Sequence, residues 1–156
     1  MTEVYSPVGA DVTLASTTQG FKLGTRAYAQ DDREYVYVVS SGSIAQNAAC
    51  GIDEDFTAIE LTTTTAAAIH KVGWAEGVGC GTDNYLWLCV KGTNFSGLLA
   101  DGTSPDAPLY TTATAGTLST DSSTSDPIKV VGVTAIACVS GGGAGELIAT
   151  YPHIDE

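Results

Sequence analysis

Basic residues are scarce in this chain: 6 Lys and Arg stand against 18 Asp and Glu, for a formal net charge of -12 at pH 7. Lys22, Arg26, Arg33 and Lys71 are isolated rather than gathered into a stripe. Such a surface repels phosphate backbones and anionic lipid headgroups, which argues against nucleic-acid and membrane partners. No apolar run approaches the roughly 20 residues of a membrane-spanning helix. The opening "MTEVYSPVGADVT" lacks a basic start and an apolar core, so export by a signal peptide is not expected.

Histidine is scarcer still. His70 and His153 are the only two, and neither accompanies a nucleophile motif that it could serve as base. No close C-x-x-C pair exists among Cys50, Cys80, Cys89 and Cys138, so a thiolate metal site is not expected. In a reducing compartment they read as small buried hydrophobes, the other reading being a disulfide formed later outside a cell. "GIDEDF" places Asp53, Glu54 and Asp55 together, but lacks the alternating ligands and distant glutamate of a calcium loop. "GVGCG" does not run from a strand into a helix, so it makes a poor phosphate cradle. The expectation is of no enzyme, no metal and no cofactor.

What the chain does have is strand and turn chemistry: Thr, Val, Ala and Ser in quantity, 18 Gly, and few residues of the long helix-forming kind. "FKLGTRAYAQ", the acidic turn "QDDRE" and "EYVYVVSSG" read as a hairpin. "FTAIELT", "HKVGWAEG" and "YLWLCVKG" follow as strands. "APLYTTATAGTLST" turns on "TAGT", "PIKVVGVTAIACVS" is a long apolar strand, and "ELIATYPHI" closes the chain after the "GGGAG" turn. "TTTAAAIHK" and "SIAQNAACG" each offer a short helical turn. The fold expected is mainly β, a compact antiparallel β-barrel or β-sandwich with one or two short helical turns. Residues 1–19 read as an N-terminal arm and 20–156 as one β-rich domain.

One strand poses a problem. In "YLWLCVKG", Leu86, Leu88 and Val90 point one way and Tyr85, Trp87 and Cys89 the other, and both faces are apolar. "EYVYVVSSG" and "KVVGVTAIACVS" share the pattern. A sheet with one wet face does not need two apolar faces. The expectation is that a partner or a symmetric homo-oligomer covers the second face, with Tyr85 and Trp87 at the interface. The arm supplies further contact candidates, Val4, Tyr5, Pro7 and Val8, which could add a strand to a partner's sheet; a merely frayed terminus is the other reading.

The run "YLWLCVKG", "GTSPDAPLY", "TAGT" and "IKVVGVT" resembles the small decoration (cement) proteins on the heads of tailed bacteriophages. The matching positions are Val90–Gly92, Gly102–Tyr110, Thr114–Thr117 and Ile128–Thr134, and the general order of turns agrees from about residue 20 to 150. The resemblance implies a β-rich virion protein on the outer surface of the capsid, assembled in the host cytoplasm. Its partner would be the major capsid protein, and its form a homo-oligomer, a trimer first and a dimer second. A different reading is a carbohydrate-binding head-fibre or tail-associated module, in which Trp74, Trp87, Tyr28, Tyr35 and Tyr37 stack on sugars. Core packing accounts for the same aromatic spacing.

Overall fold

The computed structural model describes residues 4–5, 10–29, 31–123, 125–137 and 139–155, and of Val4 and Tyr5 the backbone. The fold is mainly β. Among the described residues there are eleven strands in a single sheet and one short helix.

The expected hairpin is present. Strands β2 (Arg26–Ala29) and β3 (Glu34–Ser40) pair antiparallel, with Tyr28 opposite Glu34. Asp32 takes a left-handed conformation, φ 66, in the acidic turn between them, a geometry that Asp accepts more readily than most residues. Ahead of the hairpin, β1 (Val4–Tyr5) pairs with β2 and ends the sheet order.

Two closed rings of strands make up the rest. In the first, β3 pairs with the long β7 (Tyr85–Leu99), β7 touches β6 (Lys71–Trp74) at Trp74 and Cys89, and β6 pairs with β4 (Ala49–Ile52). Strand β5 (Thr57–Glu60) lies between β4 and β3 and closes the circle. In the second, β7 pairs with β11 (Gly143–Ile154), β11 with β10 (Lys129–Ala135), and β10 with β8 (Leu109–Thr111). Strand β9 (Leu118–Ser119) joins β8 to the far end of β7. The β3–β5 and β7–β9 pairings are parallel, so the sheet is mixed rather than wholly antiparallel.

Strand β7 belongs to both rings because it does not stop at Gly92. The glycine (φ 159) and Asn94 (φ 55) bend the strand without ending it, and Phe95 to Leu99 continue against β11. The bend brings Arg33 of the β2–β3 turn so close that a Cβ on Gly92 would lie 2.8 Å from its Cγ. Gly97 marks a second close approach, where an added Cβ would press on Leu147 and lie 2.8 Å from the Trp74 indole nitrogen. Gly97→Ala is therefore expected to destabilise the protein by about 1–3 kcal/mol through overpacking. Urea unfolding midpoints measure it, and an unchanged midpoint would show that β7 and β11 stand further apart than described.

The helix α1 (Thr63–Ala66) begins at Thr62, whose hydroxyl accepts from the Thr65 amide at 3.1 Å while the Thr62 amide donates to the Thr65 hydroxyl at 2.7 Å. This is a capping box built from threonines. The second expected helical turn is absent. Ile44 bridges to Cys80, and Ala49 to Ile52 form strand β4 with all four residues buried. Alanine and glycine suit that crowded place, since a Cβ on Gly51 would lie 2.7 Å from Ile69. Local helix propensity yields to packing here.

Strand β7 also answers the question of its two apolar faces: residues of the same chain pack against both. Tyr35, Tyr37, Trp87 and Cys89 belong to one core cluster, whereas Val36, Val38, Leu86, Leu88 and Val90 belong to another with Cys50, Ile52 and Ala58. Each face of the ribbon thus has a core of its own. The aromatic face is covered by the chain itself: Phe21 packs edge-on to Tyr37 at 5.5 Å and against Trp87 at 5.4 Å. Ser16 exchanges backbone hydrogen bonds with Tyr85, and Val12 is 8% exposed. Residues 10–19, the inner part of the expected arm, lie against the domain.

Candidate functional site

The residues expected at an interface fall into three groups. Val4 and Tyr5 form the terminal strand of the sheet, with one neighbour among the described residues. Pro7 and Val8 lie outside the described residues. Tyr85 is half-buried, but Trp87 is 2% exposed and cannot meet a partner without unfolding its surroundings. Its assignment to an interface is corrected by Phe21 and Tyr37, which occupy the place a partner would have taken. Tyr85 stacks on Tyr37 at 6.1 Å and rims a cavity of about 160 Å³ with Leu14, Asp11 and Ser16.

The rings suggested for sugar stacking are mostly core. Trp74, Trp87, Tyr35 and Tyr37 are all buried, and of the five only Tyr28 is open, at 47% exposure. Tyr151 of β11, at 48%, is the other well-exposed ring among the described residues.

Exposed rings and cations meet elsewhere, at the open end of the first ring. Val36, Ile52 and Val90, members of the second core cluster, form the floor of a cavity of about 270 Å³, with Val72 and Pro152 beside them. Arg26 and Lys71 stand on its rim together with Phe56, Tyr151 and His153. The register explains why. His153 faces Lys71 across the β11–β6 pair, Ile52 faces Lys71 across β4–β6, and Arg26 faces Val36 across β2–β3. Each cation is held over a ring: the Arg26 guanidinium 5.7 Å from the Tyr151 centroid, the Lys71 ammonium 5.6 Å from that of Phe56. Arg26 is 3.6 Å from the Glu34 carboxylate, and Lys71 has no ion pair among the described residues. No sequence signal announces this site, because its parts come from six strands and one loop.

Behind the rim lies an ionic clamp. Arg33 donates to Glu76 at 2.7 Å and to the Asn94 carbonyl at 3.0 Å, and Tyr35 donates its hydroxyl to Glu76 at 3.1 Å. The clamp ties the β2–β3 turn to the end of β6 and the bend of β7. Burial pushes the Glu76 carboxyl above the usual glutamate range, outweighing the pull of Arg33 and Tyr35. Burial and Glu76 likewise raise the Tyr35 hydroxyl and push the Cys89 thiol up to about 12. Cys50 and Cys89 are free and buried, with thiols too poorly acidic to act as nucleophiles near neutral pH; Cys138 lies outside the described residues.

The other polar features have structural roles. Asp53 and Asp55 accept from the amides of Glu54 and Thr57, which is turn chemistry. Among the described residues no three metal-ligating side chains converge. His70 accepts the Ile154 amide on its backbone carbonyl, and His153 lies at the groove. A scan of protein-family models finds none that matches the chain, and a search of curated proteins finds no significant match.

Proposed function

We propose that the chain is a structural virion protein that binds the outer surface of a phage capsid and stabilises the shell by bridging neighbouring major capsid subunits. The observation that carries this reading is the place of β1. It ends the sheet order and pairs with β2 alone among the described residues, and an edge with no described neighbour is the place where a strand from another protein would add. The resemblance of Val90–Gly92, Gly102–Tyr110 and Ile128–Thr134 to decoration proteins supports the same reading. Copies arranged as a trimer or dimer about a shell axis would multiply weak single contacts through effective concentration.

Deleting residues 2–9 tests it, because the truncation spares Val12 and Ser16 and with them the cover over Trp87. Full-length protein is expected to co-sediment with empty expanded phage heads, and the truncated form to lose at least tenfold in affinity while keeping its Tm. Failure of the full-length protein to sediment with expanded heads of the phage whose genome encodes it would overturn the reading. Equal binding by the truncated form would move the contact away from β1.

A further inference from the structure

We propose that the groove at the mouth of the first ring binds an acidic peptide segment with one apolar side chain, presented by a partner protein. This goes beyond the shell contact at β1 and does not depend on it.

Size comes first. At about 270 Å³ the cavity lies just below the roughly 300–1,000 Å³ typical of ligand pockets. It takes one large side chain rather than a cofactor. The floor of Val36, Ile52, Val90 and Pro152 offers that side chain only hydrocarbon.

Charge decides the sign of what surrounds it. In a chain of net charge -12, two of the six basic residues stand on this one rim. Neither is neutralised closely: Arg26 has a carboxylate no nearer than 3.6 Å, and Lys71 has none within ion-pair distance among the described residues. Among the described residues Arg33 and Glu76 at 2.7 Å and Lys91 and Asp32 at 3.2 Å form closer pairs. Resting the two cations over Tyr151 and Phe56 holds them in place. Arg26 keeps a loose contact with Glu34, which also accepts the Tyr151 hydroxyl at 2.7 Å. An incoming carboxylate would meet Lys71 and the remaining donors of Arg26.

The surroundings point to a peptide rather than a small free acid. Tyr28 lies on the same outward face of β2 as Arg26, and with Tyr151 it extends the patch past the cavity. Tyr and Arg are the residue types that carry most binding energy at protein interfaces. A free carboxylate filling the cavity would leave both rings in water, whereas a segment crossing the rim covers them.

Isothermal titration at low salt with an acetylated, amidated heptapeptide tests this, with a central leucine between two runs of three aspartates. Saturable binding is expected, falling at least fivefold when the salt is raised to 0.5 M. Arg26→Gln and Lys71→Gln should each weaken it at least fivefold without shifting Tm, since both side chains are exposed. Lys129→Gln, an exposed cation away from the groove, should leave affinity unchanged. A lysine-flanked peptide should not bind, and replacing the central leucine by glycine should weaken binding at least fivefold. No saturable binding of the acidic peptide would overturn the proposal. Equal affinity in the two groove variants, or an equal loss in Lys129→Gln, would overturn it too.

Discussion

Replacing Trp87 by alanine is expected to lower the unfolding free energy by about 3–5 kcal/mol, the range for removing a large aromatic side chain from a packed core. Trp87 is 2% exposed and its ring meets Tyr37 at 4.9 Å and Phe21 at 5.4 Å. A cavity there would loosen residues 10–23 over the aromatic face as well, because Phe21 would lose one of its two ring partners. Against a total stability of 5–15 kcal/mol, such a loss should appear as a large fall in the urea midpoint. Had the ring served as an interface, its removal would leave the midpoint nearly unchanged and alter oligomeric state instead. Light scattering on the same samples separates the two outcomes. Phe21→Ala gives a milder second probe of the same cover, because Phe21 is only partly buried.

The second large effect belongs to the clamp. Arg33→Ala should cost roughly 2–4 kcal/mol, somewhat below the 3–5 kcal/mol of a fully buried broken pair, because the Arg33 and Glu76 side chains keep 19% and 14% exposure. What remains after the change is a half-buried carboxylate with only the Tyr35 hydroxyl and local backbone to hold it. The pH dependence has a definite sign. Burial raises the folded-state pKa of Glu76 above its ordinary value, so the folded protein holds this proton more tightly than the unfolded chain. The contribution of Glu76 is therefore most favourable below the ordinary glutamate range of roughly 4–5 and declines as pH rises through the folded-state value. Comparing wild type with Glu76→Gln, the stability difference should move against wild type between pH 4 and 7. A difference that moved toward wild type over that range would show that Arg33 outweighs burial.

Much of the strand pattern was legible. The β2–β3 hairpin, the strands at 57–60, 71–74 and 129–135, and the turn at Gly116 (φ 71) all follow from alternation and turn residues. The two apolar faces of "YLWLCVKG" were legible as well, but their cause was not. Alternation says which side chains share a face and nothing about what lies opposite, and the answer depended on a strand that belongs to two rings at once. The extent of β7 was hidden for a local reason, since Gly92 and Asn94 look like a strand end and serve as a bend. Strand β4 was masked by Ala49 and by Ala45 and Ala48 just ahead of it, which favour helix in isolation. The groove was beyond reach of sequence: Arg26, Lys71 and Tyr151 are distant along the chain and carry no motif. Only the register of β2, β6 and β11 brings them to one rim.

Tryptophan quenching tests most directly whether the chain seals its own ribbons. Both tryptophans of the protein, Trp74 and Trp87, are 0% and 2% exposed, so iodide should barely quench the native emission at any concentration, including dilutions where light scattering finds only monomer. Quenching that rises toward the value of the urea-unfolded chain on dilution, while circular dichroism holds constant, would show that a second molecule had been keeping water off Trp87 and would contradict the account.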